Sequence, residues 1–234
     1  REAVEYLFDS PARDTLDALI KVSGRDRREA AAAIAVMFLD HPGVLRPPAQ
    51  AADGNAFNKE GWPDRGETVR GHVIRTLRLM RDKTQAPRLV ALLADPDPGV
   101  RETAVECLGL AGQSEHLEAA AKLLSDPDPF VRVKAIYAVS FLTKKQGADR
   151  IAPLLSDPHP FVRHIGLSQI DYPEARAHAA AVAGLLSDPE QKVRVSAVRV
   201  LGTMGAVESQ EAIRAFLEDP DPLLRMVAVA ALAV

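Results

Sequence analysis

Two side-chain types of opposite charge recur through the 234-residue chain at one interval. Asp64, Asp95, Asp126, Asp157, Asp188 and Asp219 stand 31 residues apart, and six positions after each comes an arginine: Arg70, Arg101, Arg132, Arg163, Arg194 and Arg225. A carboxylate and a guanidinium held together can orient a substrate when they occur once, or build a ladder of charge-assisted bonds when they recur. A catalytic pair has no reason to be copied unit after unit, so the repetition favours the ladder. Each arginine is expected beside the aspartate of an adjoining unit, fixing register more than adding stability. The predicted ladder runs through Asp95, Arg101, Asp126, Arg132, Asp157, Arg163, Asp188 and Arg194.

Other chemistry is sparse. The chain has no Gly-x-Ser-x-Gly elbow, no phosphate-cradling glycine loop and no His-Glu-x-x-His. His159 and His164 flank a prolyl turn beside Asp157, but five residues across such a turn do not put two ligands on one face. Cys107 is the single cysteine, so no intramolecular disulfide exists. The sequence therefore predicts no enzyme, no catalytic residue, no cofactor and no metal. The formal charge of −3 divides unevenly, with residues 1–94 slightly basic and 95–234 acidic. Neither part is basic enough to suggest nucleic acid. No apolar run reaches the ~18 residues of a membrane span, and no signal peptide opens the chain, which predicts a cytoplasmic protein without membrane insertion. Residue 1 is Arg rather than Met, and an amino-terminal segment is expected to be missing.

The elements that must position the charged columns follow from the same period, which is that of a solenoid. Asp95, Asp126, Asp157 and Asp219 open Asp-Pro-Asp-Pro or Asp-Pro-His-Pro, turns that halt one helix and start the next. After them, apolar residues recur on one helical face: Val100, Ala104, Val105, Leu108; Val131, Ala135, Ile136, Val139; Val193, Ala197, Val198, Leu201. The helix after Pro129 is predicted to stop near Thr143, with a second helix ending in Leu154 and Leu155. Gly109, Gly112, Gly202 and Gly205 are expected in left-handed conformations at helix ends. With 47% hydrophobic and 5% aromatic residues, the core must be Ala, Leu, Val and Ile, which suits close helix packing. The fold class predicted is all-α: a right-handed α-solenoid of antiparallel helix pairs. The pattern is lost over 40–63, read as an insertion loop that replaces a helix and carries the only tryptophan, Trp62. A second break falls at Ile170-Asp171-Tyr172-Pro173. The domains expected are a divergent helical repeat over 1–39, the loop over 40–63, and a regular array over 64–234 whose last repeat is truncated.

The motif Leu-Leu-Ser-Asp-Pro-Asp-Pro-x-Val-Arg-x-x-Ala at 123–135, echoed at 92–104, 154–166 and 185–197, resembles the HEAT-repeat family, in particular its bacterial phycobilisome-lyase-type branch. The resemblance covers 64–234 strongly and 12–39 weakly. It implies the fold, while relatives of this kind serve as scaffolds, chromophore-lyase subunits, DNA glycosylases and hydroxylases. The hydroxylases bind iron through His-Glu dipeptides, and this chain has only the reversed Glu115-His116. The glycosylases need a basic groove, which the acidic balance of 95–234 does not offer.

Two functions remain. One is a protein–protein interaction scaffold that binds a protein or peptide on the concave surface of the solenoid; the alternative is a phycobilin-lyase-type chromophore-handling subunit, or a repeat domain of a larger enzyme or regulator. The predicted surface is the exposed stripe of the second helices, where the twelfth position of each unit, counting the ladder aspartate as the first, varies: Arg75, Glu106, Tyr137, Ser168, Arg199, Ala230. Candidate partner contacts are Phe130, Lys134, Tyr137, Phe161, Arg75, Arg78 and Trp62. Phe130 and Phe161 could equally close the turn between neighbouring helices. The helix 223–234 carries one charge and is expected to leave Met226, Val227, Val229 and Val234 uncovered. This predicts continuation of the array or an end-to-end homodimer through that helix.

Overall fold

The computed structural model describes residues 86–111, 114–144 and 146–233. The expectations for 1–39 and 40–63, and those for Trp62, Arg70, Arg75, Arg78 and Val234, lie outside the described residues. The chain divides into two compact units, Arg1–Gln113 and Ser114–Val234. The described part of the first is a helix pair, α1 (Ala86–Leu92) and α2 (Pro98–Ala111), which buries Leu89, Cys107 and Leu108 together.

The second unit alternates short and long helices. Before each prolyl turn comes a short helix: α3 (Leu117–Lys122), α5 (Ala148–Ile151), α7 (Ala179–Gly184) and α9 (Gln210–Arg214). After each turn comes a longer one: α4 (Pro129–Leu142), α6 (Pro160–Gln169), α8 (Gln191–Thr203) and α10 (Pro222–Leu232). The post-turn helices pack on one another in sequence, α4 on α6, α6 on α8 and α8 on α10, and each packs on its own pre-turn helix. No strand occurs among the described residues. The fold is an all-α solenoid of antiparallel helix pairs.

The turn chemistry explains why the short helices stop. The ring of a following proline clashes with a helical residue before it, so Asp126, Asp157, Asp188 and Asp219 are all extended, with ψ of 142°, 140°, 138° and 141°. The last residues of each short helix tighten into a 3-10 turn, as at Leu123–Ser125 and Leu185–Ser187. The next helix is then capped locally. Asp128 Oδ1 accepts from the N–H of Phe130 and Val131, and Asp221 Oδ1 from Leu223. Glu190 holds the same place before α8 and makes no side-chain cap.

The apolar columns read from the sequence are the core. Val131, Ala135, Ile136 and Val139 are fully buried, as are Val193, Ala197, Val198 and Leu201. Ile136, Val139 and all four residues of the α8 column belong to one cluster that runs from Val133 on α4 to Ala228 on α10. Burying a side chain such as Ile136 or Leu167 contributes about 1.5–3 kcal/mol.

Two glycine expectations fail. Gly205 is left-handed, with φ +59°, but Gly109 and Gly202 lie inside α2 and α8 and have no positive φ. At Gly202 the reason is packing: a Cβ there would sit 2.7 Å from both Cα and Cβ of Ala231, so α8 and α10 approach closer than any side chain allows. After α4 the left-handed residue is Lys144, φ 53°. The break at 170–173 shortens α6 to ten residues, and Pro173 starts a 3-10 segment, Pro173–His178, in place of the usual connector.

Candidate interaction face

The charged columns hold the stack in register. In every complete turn the ladder aspartate first serves its own chain: Asp157 Oδ1 accepts from the N–H of His159 at 2.8 Å, and Asp188 Oδ1 from Glu190 at 2.9 Å. The ladder arginine does likewise, Arg132 Nη1 donating to the carbonyls of Asp126 and Pro127 at 2.8 and 3.2 Å. Its remaining donors cross to the next unit. Arg132 Nε and Nη2 each donate to Asp157 at 2.7 Å, and Arg163 repeats the fork on Asp188 at 2.7 and 2.8 Å. Side-chain exposures of 11% and 7% for the first pair, and 11% and 4% for the second, take both out of solvent. Burial acts to raise the Asp188 carboxyl, but the Arg163 fork, the Glu190 N–H and the charges of Arg163 and Arg194 together hold it below its ordinary value. Farther along, the fork stops. Arg194 and Arg225 keep the carbonyl bonds of their own turns, to Asp188 and Pro189 and to Asp219 and Pro220, and make no ion pair.

With that frame fixed, α4, α6, α8 and α10 present one common stripe. Phe130 and Phe161, from successive units, lie with ring centroids 6.1 Å apart and planes tilted by 55°, and Phe130 also meets the His159 ring at 6.0 Å. Both phenylalanines are half-buried in this inter-unit contact. Tyr137 is half-buried against the core, and Lys134 is half-buried beside it on α4. Among the described residues, the aromatic ring most open to solvent is Phe141, at 59%. Its place one turn beyond Tyr137 was visible in the sequence, but it stood outside the repeat columns.

Cross-unit polar contacts on the stripe were not foreseen. His164 Nδ1 lies 2.9 Å from Ser196 Oγ, and Arg199 pairs with Asp171 from the break after α6. Burial first, and then the charges of Arg199 and Lys192, lower the His164 pKa against a hydrogen bond to the Lys192 backbone that raises it. The only sequence signal for the histidine contact was the neighbouring register of His164 and Ser196 in consecutive units. The Arg199 contact depends on Asp171, which belongs to no column. On the opposite side exposed pairs, Arg150 with Glu118 and Arg176 with Glu208, link successive pre-turn segments.

At the carboxyl end, Leu224 and Ala228 are fully buried, while Leu223, Met226 and Val229 are exposed. An open cleft lies between the Asp126 and Asp157 turns, lined by Leu124, Arg132, Arg150 and Pro153. Its arginines are engaged by Asp157 and Glu118. Among the described residues, no group of three or more His, Cys, Asp or Glu could hold a metal ion, and no helix is long and apolar enough to cross a membrane.

The family model for HEAT repeats matches residues 63–139, 86–171 and 178–233. No curated protein sequence matches the chain at a significant level. Among solved structures, an engineered protein aligns with a TM-score of 0.53 at 18% identity, covering 99% of this chain and 70% of its own. A designed armadillo repeat protein in complex with the peptide (KR)4 aligns at 0.52 and 15% identity, covering 94% and 97%. The CpcE–CpcF complex of phycocyanin lyase from Nostoc sp. PCC7120 aligns at 0.40 and 19% identity, covering 93% and 85%. With its helix pairs, prolyl turns and family match across most of its length, the chain belongs to the HEAT-repeat family.

Proposed function

We propose that this chain is a non-enzymatic interaction scaffold that takes a protein or peptide on the face formed by its post-turn helices. The observation that carries the reading is the division of labour between columns. Core positions hold the same residue types from unit to unit and are buried, and ladder positions keep their Asp and Arg, whereas the twelfth position reads Tyr137, Ser168, Arg199 and Ala230, all at least partly exposed. A constant frame with a variable surface is how a repeat array acquires a partner without changing its fold. Buried bidentate pairs keep that surface preorganised, so less ordering is required on binding. Phe141 and Tyr137 supply aromatic anchors of the kind that dominate interface energies. The designed armadillo neighbour, solved with a bound peptide, shows that a stack of this general fold can hold one.

The test is affinity capture from the native cell with the whole chain, followed by reconstitution with each purified candidate. Phe130→Ser with Tyr137→Ala should lower the reconstituted affinity by at least about tenfold with helicity unchanged. Undiminished binding by the variant would place the working surface elsewhere.

A further inference from the structure

We propose that the open side of α10 is a second docking surface, and that its occupant is a partner protein of the same construction: a HEAT-type helix pair led by an Asp-Pro turn. The inference goes beyond the scaffold reading, which concerns the stripe along the post-turn helices and not the side on which units stack. From α4 onward each unit holds the one after it through the same positions. Counting the ladder aspartate as the first residue, these are the fifth, seventh and eighth. Phe130 meets Phe161, Arg132 and Arg163 fork on Asp157 and Asp188, and His164 lies against Ser196. In the unit of Asp219 those positions are Leu223, Arg225 and Met226. Leu223 and Met226 are exposed, and Arg225 donates only through Nη1, to the carbonyls of its own turn.

The eleventh position differs most. Ile136, Leu167 and Val198 are each 0% exposed, whereas Val229 is 59% exposed. The inner columns of α10 do not share this exposure, since Leu224 and Ala228 are fully buried, as Val193 and Ala197 are on α8. So α10 is packed on α8 like its predecessors and differs from them only on its other side. On α4, α6 and α8 that side is covered by the next post-turn helix. The same kind of cover suits α10: carbon over Met226 and Val229, and a two-oxygen carboxylate for the open fork of Arg225. Arg194, whose next unit is stacked without a fork, shows that the carbon seats the neighbour and the carboxylate selects it. A second copy meeting the first through α10 supplies the carbon alone, because α10 contains no Asp or Glu, and both Arg225 forks would stay open.

The experiment titrates the whole chain into a labelled peptide copying residues 204–234, read by fluorescence anisotropy. That peptide carries a pre-turn helix, the Asp219 turn and a post-turn helix, and so stands in for the leading unit of a partner. Binding is expected, and Met226→Glu with Val229→Glu in the chain should weaken it by at least about tenfold. Arg225→Ala in the chain, or Asp219→Asn in the peptide, should weaken it by about threefold or more. A lone unit must fold as it binds, so the same copy is also joined after Val234, where it continues the 31-residue period and reaches an effective concentration of about millimolar. In the joined form the α10 amides should exchange at least about tenfold more slowly than in the chain alone, and the Met226→Glu, Val229→Glu pair should abolish that gain. No slowing in the joined form, or slowing that survives the pair, overturns the assignment. Sedimentation of the chain alone as a dimer that the pair dissolves also overturns it, by making a second copy the occupant.

Discussion

Removing Arg132 tests whether the charged columns hold the array together. Its Nε and Nη2 fork on Asp157, and its Nη1 bridges the carbonyls of Asp126 and Pro127. In Arg132→Ala the Asp157 carboxylate, 7% exposed, keeps only the His159 N–H of its own turn. Leaving one partner of a buried pair uncompensated costs about 3–5 kcal/mol. Arg194 is the internal control, in the same column with the same turn bonds but no carboxylate on its fork. Arg194→Ala should therefore cost only about 1 kcal/mol, and Lys122→Ala, at an exposed site, less than about 0.5 kcal/mol. For a body of this size the first loss corresponds to a fall in Tm on the order of 10 °C. Arg132→Lys keeps the charge but cannot fork, so it should recover less than half of the loss. The assay is far-UV circular dichroism during thermal and urea unfolding of the four variants. Equal losses for Arg132→Ala and Arg194→Ala would refute the ladder as the source of register.

Further outcomes follow from the same geometry. His159 and His164 both have pKa values lowered below 6.5, chiefly by burial, so the unfolded chain binds more protons as pH drops through that value. Their contribution is complete above about pH 6.5 and is lost below it, and His159→Asn with His164→Asn should flatten Tm against pH in that window. Asp188 behaves in the opposite sense as a lowered carboxyl: its contribution is present above its unfolded value of 3.8 and disappears as pH falls through the folded one, a loss that Asp188→Asn should remove from an acid titration. Gly202→Ala should lower Tm, because overpacking of about 1–3 kcal/mol exceeds the helix-propensity gain, whereas Gly184→Ala meets nothing within 4 Å and should raise it slightly. Met226→Glu, at a site 61% exposed, should change stability by less than about 0.5 kcal/mol in a urea melt.

Most of the fold was legible because the repeat reports the same rule several times. The prolines fix where helices start and stop, and the apolar positions at helical spacing fix which face is buried. Turn, core and ladder need only local geometry and nearest neighbours, so a one-dimensional sequence is enough to read them. Gly202 was misread because a glycine at a helix end and a glycine under a crossing helix look alike until the partner, Ala231, is placed. The break in the ladder at Arg194 was equally hidden, since the spacing to Asp219 is the same as in the pairs that form. On the stripe, Tyr137 and Lys134 could be placed by register, but the His164–Ser196 contact depends on the stacking of adjacent helices. The Arg199–Asp171 pair depends on where an irregular connector happens to pass.

The face itself can be interrogated directly by hydroxyl-radical footprinting of the whole chain with and without a reconstituted partner. Phe141, 59% exposed, reports the post-turn side, as does Tyr137, while Leu217, 38% exposed, lies in the segment after α9 on the pre-turn side. The scaffold account predicts that the partner protects Tyr137 and Phe141 and leaves Leu217 unchanged. Protection of Leu217 with Tyr137 and Phe141 still reactive would contradict it.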